Sequence, residues 1–270
     1  MGEAAEPGPA AMRALRDGVA DLLDGQPYLQ VFASDACLRR FLVARCGSVD
    51  DAITSLRYTL EWRREAVPEA ITWQDVARGG TNGRIEVADE RDLHGRPIVF
   101  YQLRRPAVKT TADEQICYWL HCLESACKLA DDAGVGKIVV VADMEAYSDS
   151  AVPAMATRVE CLRLAQAHYP ERLALAVICR PPTLFWLMWT ASQPFLDEKT
   201  RGKVVLVYSE EEMRAALQCI PPERLYPVFG GTKEDRFDLP AHAARMVELD
   251  SARQADHRAA GTAPSSRLVA

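Results

Sequence analysis

Hydrophobic and polar positions alternate in two different rhythms along the chain. In the N-terminal part the rhythm is helical. Ser34 and Asp35 are capping residues ahead of CLRRFLVARC, in which Leu38, Phe41 and Leu42 share one face. Gly47 ends that helix, and Ser48 or Asp50 starts another that carries Ile53, Leu56, Leu60 and Trp62 inward until Pro68. Past Gly79-Gly80 the pattern changes. Strands are predicted at Arg84–Val87 and Pro97–Gln102, a helix over Ala112–Ala130, and an apolar strand in KIVVVAD that ends at Asp143. A helix over Val152–Ala167, a strand at Leu173–Ile178, a strand at Val204–Tyr208 and a helix over Glu210–Ile220 follow, and LYPVFGG closes the unit. Fully apolar strands alternating with helices imply a buried, mainly parallel sheet with helices packed on it. The fold class is therefore α/β, preceded by a small all-α module.

One segment breaks the amphipathic rule. After Pro181 and Pro182, six large apolar residues run from Leu184 to Trp189 without a polar position. At about 100° per residue they cover every side of a helix. The plain reading is a helix buried all round in the core. The other is a helix whose two sides meet different apolar surroundings at different times.

Composition narrows the function classes. The 270 residues carry a net charge of −6 and 49% hydrophobic residues, which suits a globular protein with a large core. The acidic balance disfavours a nucleic-acid partner and constant adhesion to anionic membranes. No apolar run reaches the 18 or so residues of a membrane span. The opening MGEAAEPGPA has no apolar stretch of a signal peptide, so a cytoplasmic protein is expected. Residues 1–10 and 251–270 read as polar tails.

Catalytic motifs are missing. GVGK (Gly134–Lys137) resembles the end of a phosphate loop, but Asp131 stands in the first glycine's place and a strand follows. His94, His121, His168, His242 and His257 form no zinc signature, and no nucleophile elbow exists. Cys117 and His121 sit at i and i+4, but a tetrahedral metal needs three or four ligands. The eight cysteines include no CxxC pair and read as reduced packing residues. A binding protein without metal or cofactor is expected, not an enzyme.

The order of the remaining motifs resembles the CRAL-TRIO lipid-binding family, in its phosphatidylinositol-transfer branch. LRRFLVAR (Leu38–Arg45), TLEWRRE (Thr59–Glu65), DLHGRPIVF (Asp92–Phe100), HYPERL (His168–Leu173), QPFLDEKTRGKV (Gln193–Val204) and FGG (Phe229–Gly231) fall at the family's spacing. The resemblance covers about residues 34–235. It divides the chain into a tail and short helix (1–33), a helical module (34–80), a lipid-binding domain (81–235) and a C-terminal extension (236–270), partly disordered. It implies a sheet floor under an apolar lipid cavity closed by a movable helical gate, with Thr183–Leu196 in the gate position. Five large gate side chains at about 1.5–3 kcal/mol each make roughly 10 kcal/mol of burial, so such a gate opens only against a membrane.

The same resemblance assigns side chains. Glu171, of YPER, and Lys203, beyond PFLD, match the branch's inositol phosphate headgroup residues, and Arg45 matches a further basic one. Cys46 replaces its usual lysine neighbour, and Ala146 replaces the glycine of Asp-x-x-Gly after Asp143. The gate and cavity positions are Leu184, Phe185, Trp186, Leu187, Met188, Trp189 and Phe195. Ile138 and Val140 occupy the two strand positions where members that bind phosphatidylcholine carry hydroxyl side chains. The resemblance thus implies phosphatidylinositol or a related phospholipid as ligand, transient membrane contact, and presentation to a lipid-modifying enzyme. A protein-interaction module without transfer and a carrier for a sterol or tocopherol are the alternatives.

Overall fold

The computed structural model describes residues 7–148, 152–193, 198–259 and 268. Six helices come first: α1 (Pro9–Asp17), α2 (Ala20–Leu23), α3 (Pro27–Phe32), α4 (Asp35–Ala44), α5 (Val49–Ala66) and α6 (Trp73–Gly80). Ser34 Oγ accepts from the Cys37 amide and Ser48 Oγ from the Asp51 amide, so both expected caps form. Leu15, Leu29, Leu38, Phe41, Leu42, Leu56 and Leu60 make a core of their own within these helices.

The α/β part runs β1 (Ile85–Arg91), β2 (Pro97–Gln102), α7 (Ala112–Asp132), β3 (Ile138–Asp143), α8 (Met155–His168), β4 (Leu173–Cys179), α9 (Thr183–Ser192), α10 (Glu198–Arg201), β5 (Val204–Val207), α11 (Glu210–Ala216) and α12 (Leu239–Ala259). The five strands lie in the order β1-β2-β3-β4-β5. β1 is antiparallel to β2, and every later pair is parallel. The expected mainly parallel sheet is therefore present.

Strand alternation divides the sheet's side chains between two layers. Val99, Ile138 and Val140 pack with α7, and Tyr101, Ala142, Ile178, Val204 and Leu206 continue the same face to Phe185 of α9. Ile98, Phe100, Val139, Val141, Val177, Cys179 and Val207 face the other way, onto Met213 and Leu217 at α11 and onto Tyr226 and Phe229. Gly231 closes that second layer. A Cβ there would stand 2.0 Å from the Leu225 carbonyl oxygen, so the chain's close approach excludes any other residue.

Some boundaries differ from the sequence reading. β1 starts at Ile85 and continues to Arg91, its register shifting between Val87 and Arg91. α8 begins at Met155 and α11 ends at Ala216. The larger difference is at the C-terminus. Residues 251–259 are not tail but the end of α12, because Arg253 is buried there and donates to the Ile71 carbonyl and to Asp250.

Candidate functional site

Glu171 and Lys203 meet at the amino ends of β4 and β5. Glu171 sits in the turn between α8 and β4, in a left-handed conformation with φ 57°. Lys203 precedes β5, and its carbonyl accepts from the Ala176 amide at 2.8 Å. The crossover brings side chains 32 residues apart into an ion pair: Lys203 Nζ lies 3.0 Å from Glu171 Oε2, with the two side chains 20% and 12% exposed. A carboxylate and an ammonium held together at a half-closed edge offer acceptors for hydroxyls and a point charge for a phosphate.

Arg45 behaves differently. It caps the end of α4 and donates from Nη2 to Ser55 Oγ at 2.8 Å. No hydrogen bond or ion pair among the described residues joins it to Glu171 or Lys203. Its neighbour Cys46 is exposed and has φ 52°.

The HYPER motif proves to have two kinds of member. Trp62 stacks on His168 with ring centroids 4.1 Å apart, and Thr59 Oγ1 lies 3.1 Å from His168 Nδ1. Burial pushes the His168 imidazole down to about 3, so it is neutral. The Tyr169 hydroxyl donates to Glu124 at 2.5 Å, and Arg172 grips Asp131 with two bonds of 2.6 and 2.7 Å. These three residues tie α8 and β4 to α5 and α7. Glu171 alone turns to Lys203.

Beside them lies a network the sequence reading missed. Arg63 donates to Glu69 at 3.0 Å and to Glu124 at 2.6 Å, all three side chains being buried, with the guanidinium over the Phe32 ring. Burial holds the Glu69 carboxyl above the usual carboxylate range, while Arg63 keeps Glu124 below it. The signal was present in the spacing. Leu56, Leu60 and Arg63 fall at i, i+4 and i+7, which places Arg63 on the buried stripe. A polar cavity of about 130 Å³ lies against this network, lined by Phe32, Arg40, Glu69, Asp131 and Arg172 among others.

Of the apolar positions named from the sequence, Leu184 to Trp189 lie in α9. Phe185 packs against Leu103, Ala142, Met144 and Ile178, and meets Tyr147 edge-on at 6.1 Å. Trp186 is 48% exposed on the outer side, and Trp189 is half-buried. The side chains of Leu184, Leu187 and Met188, and the whole of Phe195, lie outside the described residues. Ile138 and Val140 occupy the same sheet face as Ala142, but at the part of it that α7 covers. His121 Nε2 lies 2.9 Å from an Asp250 carboxylate oxygen, and no group of three or more His, Cys, Asp or Glu that could hold a metal ion occurs among the described residues.

A mainly parallel sheet thus packs one apolar face against a short apolar helix and carries a carboxylate–ammonium pair at the amino ends of β4 and β5. The CRAL/TRIO domain model matches residues 81–231, and the chain belongs to that family. The phosphatidylinositol transfer protein PDR17 of Saccharomyces cerevisiae is 31% identical over 228 residues, 80% of this chain and 62% of that protein. Patellin-6 of Arabidopsis thaliana is 24% identical over 210 residues, covering 73% of this chain and 51% of that protein. The chain thus spans between half and two thirds of these relatives. The crystal structure of Sfh5 superposes with a TM-score of 0.66, covering 93% of this chain and 96% of that one at 16% identity, a likeness of fold. Among the described residues no helix is long and apolar enough to cross a membrane.

Proposed function

We propose that the protein takes phosphatidylinositol from a membrane and exchanges it for another lipid or presents it to a lipid-modifying enzyme. The observation that carries this reading is the Lys203–Glu171 pair at the amino ends of β4 and β5, in a sheet one apolar face of which packs against α9. The headgroup enters that pair, phosphate toward Lys203 and ring hydroxyls toward Glu171. The acyl chains follow the apolar face, and α9 acts as the gate, its outer Trp186 meeting the bilayer. Moving two acyl chains through water would cost about 0.8 kcal/mol per CH₂, roughly 20 kcal/mol or more in all. A carrier that receives its ligand directly from the bilayer avoids that barrier, so its membrane contact is peripheral and transient. The similarity to a protein named for phosphatidylinositol transfer supports the choice of ligand.

The second ligand is predicted not to be phosphatidylcholine. Ile138 and Val140 present hydrocarbon on the sheet face shared by α7 and α9, packed there against α7, and neither side chain donates a hydrogen bond to a phosphodiester. A buried phosphate without partners costs a few kcal/mol or more, which leaves a lipid with a less polar head, such as a sterol. Native mass spectrometry with lipid extraction of the purified protein tests both statements. Stoichiometric phosphatidylinositol is expected, displaced by unlabelled phosphatidylinositol and poorly by phosphatidylcholine. Protein that carries no lipid and takes none from vesicles would return the fold to the class of interaction modules.

A further inference from the structure

The carboxyl ends of the parallel strands carry a second polar site. In the sheet register Gln102 of β2 lies opposite Asp143 of β3, and Asp143 opposite Cys179 of β4. Gln102 and Asp143 are fully buried, and by alternation they point to the face away from α9. Three arginines surround them. Arg180 Nη2 donates to Asp143 Oδ1 at 2.7 Å and to the Val228 carbonyl at 2.9 Å, from a residue held at φ 53°. Arg104 donates to Gln102 Oε1 at 3.0 and 3.2 Å and also to Asp235. Arg105 Nη2 lies 4.0 Å from the same Asp235 oxygen, with its guanidinium over the Tyr226 and Phe237 rings.

Five buried polar atoms of this cluster have no hydrogen-bond partner: Gln102 Nε2, Arg105 Nε and Nη2, Arg180 Nε and Asp143 Oδ2. Four are donors and one is an acceptor. Buried polar groups in folded proteins are nearly all paired, so a donor-rich orphan set points to an acceptor-rich guest. Its position agrees with that, because ligands of open α/β sheets bind outside the carboxyl ends of the strands. The carboxylates already present do not fill the site. Asp143 is spent on Arg180. Glu145 Oε2 stands 3.6 Å from Arg180 Nε but is 67% exposed. Asp235 is 38% exposed and sits between Arg104 and Arg105 as a guest oxyanion would.

We propose that this edge binds a phosphate-class oxyanion, with Gln102, Arg105 and Arg180 as donors and Asp235 as the internal carboxylate that the guest displaces. The site is separate from the Glu171–Lys203 pair. That pair lies at the amino ends of the strands, and the seven residues of β4 span about 20 Å between the two edges. It is also independent of the lipid-carrier reading, since it faces away from α9.

Isothermal titration of the whole chain with inorganic phosphate, against chloride at matched ionic strength, tests the proposal. Saturable binding is expected, tightened severalfold in Asp235→Asn and weakened about tenfold or more in Arg105→Gln, the loss of a charge-assisted bond. Lys203→Ala, which removes the cation at the amino ends of the strands, leaves the Arg105-dependent part of the binding in place. A parallel co-sedimentation with vesicles containing a phosphorylated phosphatidylinositol separates the sources. Loss in Arg105→Gln on vesicles alone identifies a lipid phosphate, and loss with free phosphate identifies a soluble one. Asp235→Asn, at an exposed position, keeps the test open if Arg105→Gln does not fold. The proposal is overturned if wild type, Asp235→Asn and Arg105→Gln behave alike toward both probes, or if Lys203→Ala abolishes the binding.

Discussion

Replacing Lys203 by alanine separates a headgroup role from a purely structural one, provided the ion pair is taken into account. Two unit charges 3.0 Å apart attract by about 5 kcal/mol at an effective dielectric near 20, and desolvation offsets most of that. Exposed pairs are worth about 0–1 kcal/mol, and breaking a fully buried one costs about 3–5 kcal/mol. With side chains 20% and 12% exposed, the Lys203–Glu171 pair falls between, so Lys203→Ala is expected to cost about 1–3 kcal/mol. For a chain of this size that lowers Tm by roughly 2–5 °C. Transfer of labelled phosphatidylinositol between vesicles should fall at least tenfold at a temperature where the variant is folded, since one strong charge-assisted contact is worth about that factor. The discriminating variant is the double exchange Glu171→Lys with Lys203→Glu. It restores an ion pair and most of the lost Tm, yet it places a carboxylate where the phosphate is to sit, and transfer stays low. If the exchanged pair transfers as well as the wild type, or if Lys203→Ala transfers normally, the headgroup is not read here and the pair is only a clasp between β4 and β5.

Two further outcomes follow from the geometry. Trp186→Asp should abolish uptake from vesicles at little cost in stability, because the residue is half exposed in water but a carboxylate there is costly in hydrocarbon; wild-type tryptophan fluorescence should shift blue on adding liposomes, and active protein whose spectrum ignores them would make α9 a core helix. The second concerns pH. His168 titrates near 6.5 when unfolded and at about 3 when folded, so below 6.5 the unfolded chain binds a proton that the native one refuses. Stability should therefore fall as pH drops from about 6.5 toward 3, by roughly 1.4 kcal/mol per pH unit from this group. His242, also held at about 3 by burial, adds to the slope. Urea unfolding from pH 7 to 5 should show a shallower decline in His168→Gln, and parallel lines for variant and wild type would show that His168 is not the group responsible.

What the sequence made legible is what hydropathy can encode. β3, β4 and β5 are continuous apolar runs, and a strand buried on both faces needs nothing else to declare itself. The caps at Ser34 and Ser48 were readable because a hydroxyl ahead of a periodic segment has a local partner. The failures share one physical cause. In α12 the buried stripe is His242, Met246, Leu249, Asp250 and Arg253, at helical spacing, but three of the five are polar and the stripe does not register as apolar. Arg63 extends the stripe of Leu56 and Leu60 in the same way and finds Glu69 and Glu124 as partners 6 and 61 residues away. Such groups are buried only because distant partners compensate them, and pairing across the fold leaves no periodic mark. The candidate sites are the extreme case. A parallel sheet collects strand ends that are far apart in sequence, so Glu171 meets Lys203 at one edge and Gln102 lies beside Asp143 at the other. The motifs around Glu171 and Lys203 could indicate that both belong to one family site. That the two charges pair with each other follows only once the crossover from β4 to β5 is in place.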